Sequence, residues 1–168
     1  MHVRTMLVVL AATALAFVGT APSAAAATYT DTISGYEYYA TSTEGRFAGS
    51  ASGALPGYWN ADVVHDPLCL SCPTTAEITG GSFTLATILN GLYTVVTGTF
   101  TGGTVQVTDP GAGCADQLFT VSGVLGNVGP GGSGSGSFAA TLQHYRHLVF
   151  GACVTYAASV TGSISLTF

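Results

Sequence analysis

The C-terminal residues of this chain alternate strictly in character. Val154, Tyr156, Ala158, Val160, Gly162, Ile164, Leu166 and Phe168 fall on one face of an extended backbone, and Thr155, Ala157, Ser159, Thr161, Ser163, Ser165 and Thr167 on the other. A period of two marks a strand with one buried face, and the pattern recurs upstream. Helical spacing, with apolar residues at i, i+3, i+4 and i+7 between caps, is almost absent. Val, Ile, Thr, Tyr and Phe are abundant, and they suit a pleated, half-buried surface. The C-terminus therefore predicts one long strand, or two joined at a bulge near Gly162.

Turn signals divide the rest. Pro56-Gly57 separates 45–55 from 58–66, and Asn90-Gly91 separates 81–89 from 92–100. Asn-Gly favours a type I′ hairpin turn, whose two central residues need positive φ. Gly102-Gly103 separates 92–100 from 104–108, and Asp109-Pro110-Gly111 opens a loop to Asp116. Asn127 to Gly134 is a Gly-rich link between 117–126 and 135–147, and Leu148 to Ala152 turns into the last strand. Residues 29–41 add one or two more strands. Eight to ten short strands joined by tight turns make an antiparallel up-and-down meander. Closure into a barrel removes the edges such a meander would otherwise expose, and a two-sheet sandwich is the alternative. A length of 168 residues fits one domain.

Gly45-Arg46-Phe47-Ala48-Gly49 and Gly134-Ser135-Gly136-Ser137-Phe138 resemble the Gly-x-Phe strand starts of dirigent and allene oxide cyclase-type barrels. The resemblance covers those two stretches. It implies a barrel with an interior cavity, and no catalytic residue of those families maps onto a position here.

Residues 1–27 read as a secretory signal peptide. His2 and Arg4 precede an apolar run from Leu7 to Val18, and Ala25-Ala26-Ala27 supplies the small residues of a cleavage site. The run is short for a membrane span. The expected mature domain is 28–168, secreted and without a membrane span. It holds two cations, Arg46 and Arg146, against eight acids, a formal charge of −6. The chain has no Lys. A basic nucleic-acid surface and lysine Schiff-base chemistry are thereby excluded.

Four cysteines in an exported chain point to two disulfides. If 92–100 and 104–108 are separate strands, Cys69 and Cys72 lie at one end of the barrel, and Cys114 and Cys153 at the other. The expected pairs are then Cys69–Cys72 and Cys114–Cys153, since only cysteines at one end come within bridging distance. Cys69-Leu70-Ser71-Cys72 also has redox spacing. Pro73 and the surrounding loop offer no helix N-terminus to activate a thiolate, so a structural clasp is expected. No metal and no cofactor are expected.

His144 shares a face with Phe138, Leu142 and Arg146, and His65 with Trp59, Ala61 and Val63. These faces point inward, and the strand count puts His65 and His144 near opposite ends. His147 falls on the face opposite His144, which makes the two poor joint metal ligands. Asp109, Asp116, His144, Arg146 and His147 gather at one end. They form a ligand mouth, with Arg146 and His144 as candidate catalytic residues, or a rim in which Arg146 pairs with Asp109 or Asp116. Glu37 and Glu44 offer a weak carboxylate pair. Tyr36, Tyr38, Tyr39, Tyr58 and Trp59 concentrate aromatic rings near the N-terminus, and alternation sends at least one face of them into the core.

The expected protein is an exported, disulfide-stapled barrel without enzymatic machinery. It binds a small apolar or weakly polar molecule inside, with Trp59, His65, Phe138, Leu142, His144 and Arg146 as the binding residues. A pocket enzyme of isomerase or cyclase type using His144 and Arg146 is one alternative. A structural or adhesive surface protein without a ligand is the other.

Overall fold

The computed structural model describes residues 25–72 and 74–168. Most of the segment 1–27, expected to be a signal peptide, lies outside the described residues. Eight strands follow one another: β1 (Thr28–Ala40), β2 (Glu44–Gly53), β3 (Gly57–His65), β4 (Thr75–Leu89), β5 (Leu92–Asp109), β6 (Gln117–Val128), β7 (Gly134–Val149) and β8 (Ala152–Thr167). Each pairs antiparallel with the next, and β8 pairs with β1 to close the barrel. A 3-10 turn at Ala112–Cys114 is the one helical element among the described residues.

Strand β5 joins two segments that the Gly102-Gly103 signal had divided. The glycine pair is a bulge within the strand, where the ladder to β6 shifts between Phe100 and Gly102. Gly80-Gly81 does the same within β4 beside Val64 and His65. Gly81 has φ +127 and Gly103 φ +142, and a Cβ on either would sit about 2 Å from a carbonyl oxygen of the neighbouring strand. Only glycine lets the backbones bend this closely, so both pairs mark corners of the barrel rather than strand ends. The Asn90-Gly91 turn has φ +51 and +78, as a type I′ turn requires. At Gly162 the ladder to β7 runs through unbroken.

With β5 continuous, the strand parity changes after it. The loops 41–43, 66–74, 110–116 and 150–151 all lie at one end, here the upper end. Both disulfides therefore lie there too. The pairs are Cys69–Cys72 and Cys114–Cys153, each with Cα atoms 5.6 Å apart. The pairing agrees with expectation, but the placement at opposite ends is corrected.

The interior holds Ile33, Phe47, Trp59, Phe83, Phe119 and Leu142 with other apolar residues of the alternating inner faces. Small residues on β1 and β2 leave room that aromatic residues on β3 and β2 take up. The Trp59 indole lies against Gly35, where an added Cβ would meet it at 2.9 Å, and its Nε1–H donates to the Ser50 carbonyl at 3.0 Å. At the lower end, buried Asp31 accepts the Leu55 backbone N–H at 2.8 Å, and Tyr29 stacks on Phe168. At the upper end, the segment 66–72 folds over the opening and Leu68 packs on the core. Gln117 holds that loop by donating from Nε2 to the Leu70 carbonyl at 2.6 Å and the Pro110 carbonyl at 3.1 Å.

Candidate functional site

The interior contains two small cavities. The central one, about 50 Å³, is lined entirely by apolar groups, among them Trp59, Phe138 and Leu142. A void of this kind stays dry, and it is far smaller than the ~150 Å³ needed for a benzene-sized guest. The upper one, also about 50 Å³, is bordered by Glu37, His65, Leu142 and His144 beneath Leu68 and Leu70. The barrel is filled by its own side chains, with Trp59 lying against Gly35 and Phe47 against Gly45.

Five of the six expected binding residues face this interior, split between the two cavities. His65 and His144 share the upper cavity rather than standing at opposite ends, because β5 is one strand and not two. His65 donates from Nδ1 to the Asp66 carbonyl at 2.7 Å. His144 packs against Phe119, ring centroids 4.6 Å apart, and its Nε2–H donates to Glu37 Oε2 at 2.6 Å. Both partners are buried, with side chains 9% and 7% exposed. Glu37 was paired with Glu44 in sequence. Its partner in space is a histidine 107 residues away, a relation that spacing cannot reveal. Among the described residues, no three His, Cys, Asp or Glu side chains gather to hold a metal.

Arg146 is elsewhere. Arg146 keeps the side of β7 that His144 takes, but it lies past the rim, because the β6–β7 ladder ends at Gln117–His144 and no barrel interior lies beneath it. It lies in an outer recess with Pro110, Gly111, Cys114 and Cys153. Its guanidinium donates to the Pro110 and Gly111 carbonyls at 2.9 and 3.3 Å and to Cys153 Sγ at 3.0 Å. The expected ion pair with Asp109 or Asp116 is not formed. Asp116 instead accepts the Arg146 backbone N–H at 3.0 Å and the Gln143 amide at 3.1 Å. The mouth is thus two separate arrangements, one buried and one outside.

The aromatic cluster is also redistributed. A bulge between Glu37 and Tyr39 turns Tyr38 and Tyr39 both outward, and with Tyr36 and Tyr58 they stand exposed on the barrel wall. Only Trp59 of that group is core.

The most unusual surface element is the β7–β8 hairpin. The β6–β7 ladder stops at Gln117–His144 and the β1–β8 ladder at Tyr36–Ser159, yet β7 and β8 continue together to Val149–Ala152. The hairpin therefore projects beyond the barrel rim. Val154 and Tyr156, expected to be buried by alternation, are exposed: a bulge at Tyr156, left without a partner between Ala157–Tyr145 and Thr155–Arg146, breaks the alternation of β8, and both residues lie past the rim. The two-residue turn is Phe150-Gly151, with φ +48 and +81. A bulky side chain rarely adopts positive φ. Phe150 is nonetheless fully exposed, and Leu148 beside it is 60% exposed. The base of the projection is rigid: the Cys114–Cys153 disulfide and the Arg146 hydrogen bonds tie it to the 110–116 loop. Sequence reasoning took Leu148 to Ala152 for an ordinary turn; the signal available was an aromatic residue where Asn or Gly is favoured.

No helix among the described residues is long and apolar enough to cross a membrane. Searches against protein-family models, curated proteins and solved structures found no match to this chain.

Proposed function

We propose that this is an exported, non-enzymatic contact protein that works from its outer surface, with the β7–β8 hairpin as its contacting element. The observation that carries the reading is Phe150, a strained and fully exposed aromatic at the tip of a braced projection. Strain of this kind costs about 1–3 kcal/mol and persists where function uses the position. An exposed apolar cluster presented on a rigid element is the usual form of an interaction anchor. Export rests on the leader-like residues 1–27 and on two disulfides, which persist in oxidising compartments. The filled interior favours the outside over a ligand held within.

Phe150→Asn is the direct test. Asn tolerates positive φ, so the variant is expected to gain about 1 kcal/mol in denaturant unfolding. Its retention on a phenyl-bearing surface should fall about tenfold relative to wild type, since an exposed ring is lost. Tyr58→Asn, on the barrel wall, should change retention far less. A Phe150→Asn variant that loses stability and keeps full retention would show Phe150 to be structural and sink the proposal. A native mass spectrum of the secreted protein should show the bare chain; a small molecule retained there and lost on denaturation would return the function to the interior.

A further inference from the structure

On the outer wall of β1, β2 and β3, Tyr36 lies opposite Ala48 and Ala48 opposite Asn60. Two residues along, Ser34 lies opposite Ser50 and Ser50 opposite Tyr58. The two outer strands thus raise tyrosines at diagonal corners, while β2 between them presents only a methyl and a hydroxymethyl group. The result is an open recess of about 530 Å³ walled by Tyr36 and Tyr58. Strands two apart lie about 9.6 Å from one another and two residues span about 6.8 Å, which sets the tyrosine Cα atoms about 12 Å apart. The floor is fixed from within. Gly35 and Gly49 pair beneath it, and a Cβ on Gly49 would lie 2.0 Å from the Ser34 carbonyl oxygen. Only glycine lets the two backbones approach this closely. Trp59 packs under Gly35 and donates its indole N–H to the Ser50 carbonyl. Tyr38 meets Tyr36 edge-on, ring centroids 6.4 Å apart.

No charged side chain lines the recess. In the row beyond it, Arg46 pairs with Glu44 at 2.7 Å and approaches Asp62 at 3.9 Å, so those charges answer one another. Tyr36 and Tyr58 are 56% and 75% exposed, with Asn60, Ser34 and Ser50 exposed beside them. The Ser34 and Ser50 hydroxyls are 3.3 Å apart. On the other side of β1 the wall continues without charge, with Thr161 opposite Ser34 and Ser163 opposite Thr32. The recess therefore offers two aromatic rings, an amide and a pair of hydroxyls, and it opens onto a hydroxyl-covered wall.

An ionic ligand finds no counter-charge there, and a purely apolar one leaves the amide and hydroxyls unpaired beneath it. A sugar chain matches both kinds of group. Pyranose rings with equatorial hydroxyls present C–H faces that stack on aromatic rings, and a rim of hydroxyls that exchange hydrogen bonds with amide and hydroxyl side chains. We infer that the Tyr36–Tyr58 recess binds a neutral polysaccharide of β-1,4-linked sugars. The flat, extended chain runs from one tyrosine to the other across Ala48 and Ser50, with Asn60 and the Ser34–Ser50 pair as its hydrogen-bonding partners. The site stands on β1–β3, apart from the β7–β8 hairpin, and does not depend on the role proposed for Phe150.

Depletion of the purified protein from solution by microcrystalline cellulose and by chitin, over a range of concentrations, tests this. Retention is expected on at least one of the two, and which one identifies the sugar. It should persist in about 1 M salt, because no charge takes part. A soluble oligosaccharide of the same sugar and linkage should release the protein. Tyr36→Ala and Tyr58→Ala should each weaken retention at least about fivefold, since each removes a stacking ring. Tyr36→Phe keeps the ring and should keep retention. Tyr93→Ala removes an equally exposed tyrosine from β5 and should change nothing. Unchanged thermal unfolding of each variant shows that the barrel is intact. Absence of retention on both polysaccharides overturns the inference. So does retention that salt abolishes, that the oligosaccharide fails to compete, or that both alanine variants keep in full. Phe150→Asn should leave retention on the polysaccharide unchanged, so the recess and the hairpin tip succeed or fail separately.

Discussion

Replacing Cys114 and Cys153 together by serine is expected to lower the unfolding free energy by about 4 kcal/mol. The bond closes a loop of sequence separation 39, and the entropy it removes from the unfolded chain grows with loop length. The Cys69–Cys72 bond, of separation 3, should contribute about 2 kcal/mol by the same reasoning. The longer bond also anchors the projecting hairpin, so its loss should raise amide exchange in 146–156 while leaving the Val96, Val121 and Leu142 strands protected. Denaturant unfolding of the two serine pairs, with exchange measured by residue, checks both statements. An equal loss for the two bonds, or unchanged exchange in the hairpin, would show that the 114–153 bond does not brace this element.

The second large effect lies at Glu37 and His144. The backbone ladder between β1 and β8 ends at Tyr36–Ser159, and just past it the Glu37 side chain reaches across to His144 on β7. The hydrogen bond closes the upper seam of the barrel where no backbone pairing remains. Both groups are buried, so removing one strands the other away from water. Glu37→Ala or His144→Ala should each cost about 3–5 kcal/mol. Replacing both, by Glu37→Leu with His144→Phe, should cost much less than the sum, because no polar group is then left alone beside Phe119. A double-mutant cycle in denaturant measures the coupling directly. Additive losses would mean that the two side chains matter for packing rather than for each other.

Much of the architecture was legible because strand alternation, turn chemistry and cysteine pairing are local signals. The Asn90-Gly91 hairpin, the inward faces carrying Trp59, Ala61, Val63 and His65, and the antiparallel meander all follow from spacing of a few residues. The errors also have local causes. Gly102-Gly103 reads as a turn or as a bulge, and nothing within a few residues separates the two. That one ambiguity reversed the parity of every later strand, which sent the disulfides and the two histidines to opposite ends. The pairing of the cysteines survived because Cys69 and Cys72 are close in sequence, and the two partners that remained had to find one another. The bulges at Tyr38 and Tyr156 were likewise invisible, and each breaks an alternation: one brings Tyr38 and Tyr39 both to the surface, the other falls where Val154 and Tyr156 stand exposed.

Sequence by itself determined that this chain is an all-β antiparallel meander, rich in cysteine pairs and poor in charge, because period-two patterning and turn residues act over distances a reader can see, while the choice of closed barrel over sandwich was decided by the β1–β8 pairing. Tertiary structure alone decided how much space the barrel encloses, because a void is what remains after residues from eight strands have packed, and Trp59 fills what Gly35 leaves. It alone decided that Glu37 meets His144, a contact set by barrel closure across 107 residues. It also decided that β7 and β8 outrun their neighbours. Alternation states which face a residue takes, but only the lengths of the flanking ladders state whether that face has a core behind it. At Arg146 it does not, and at Val154 and Tyr156 a bulge past the rim breaks the alternation as well, so an apolar stripe that reads as core in sequence becomes surface.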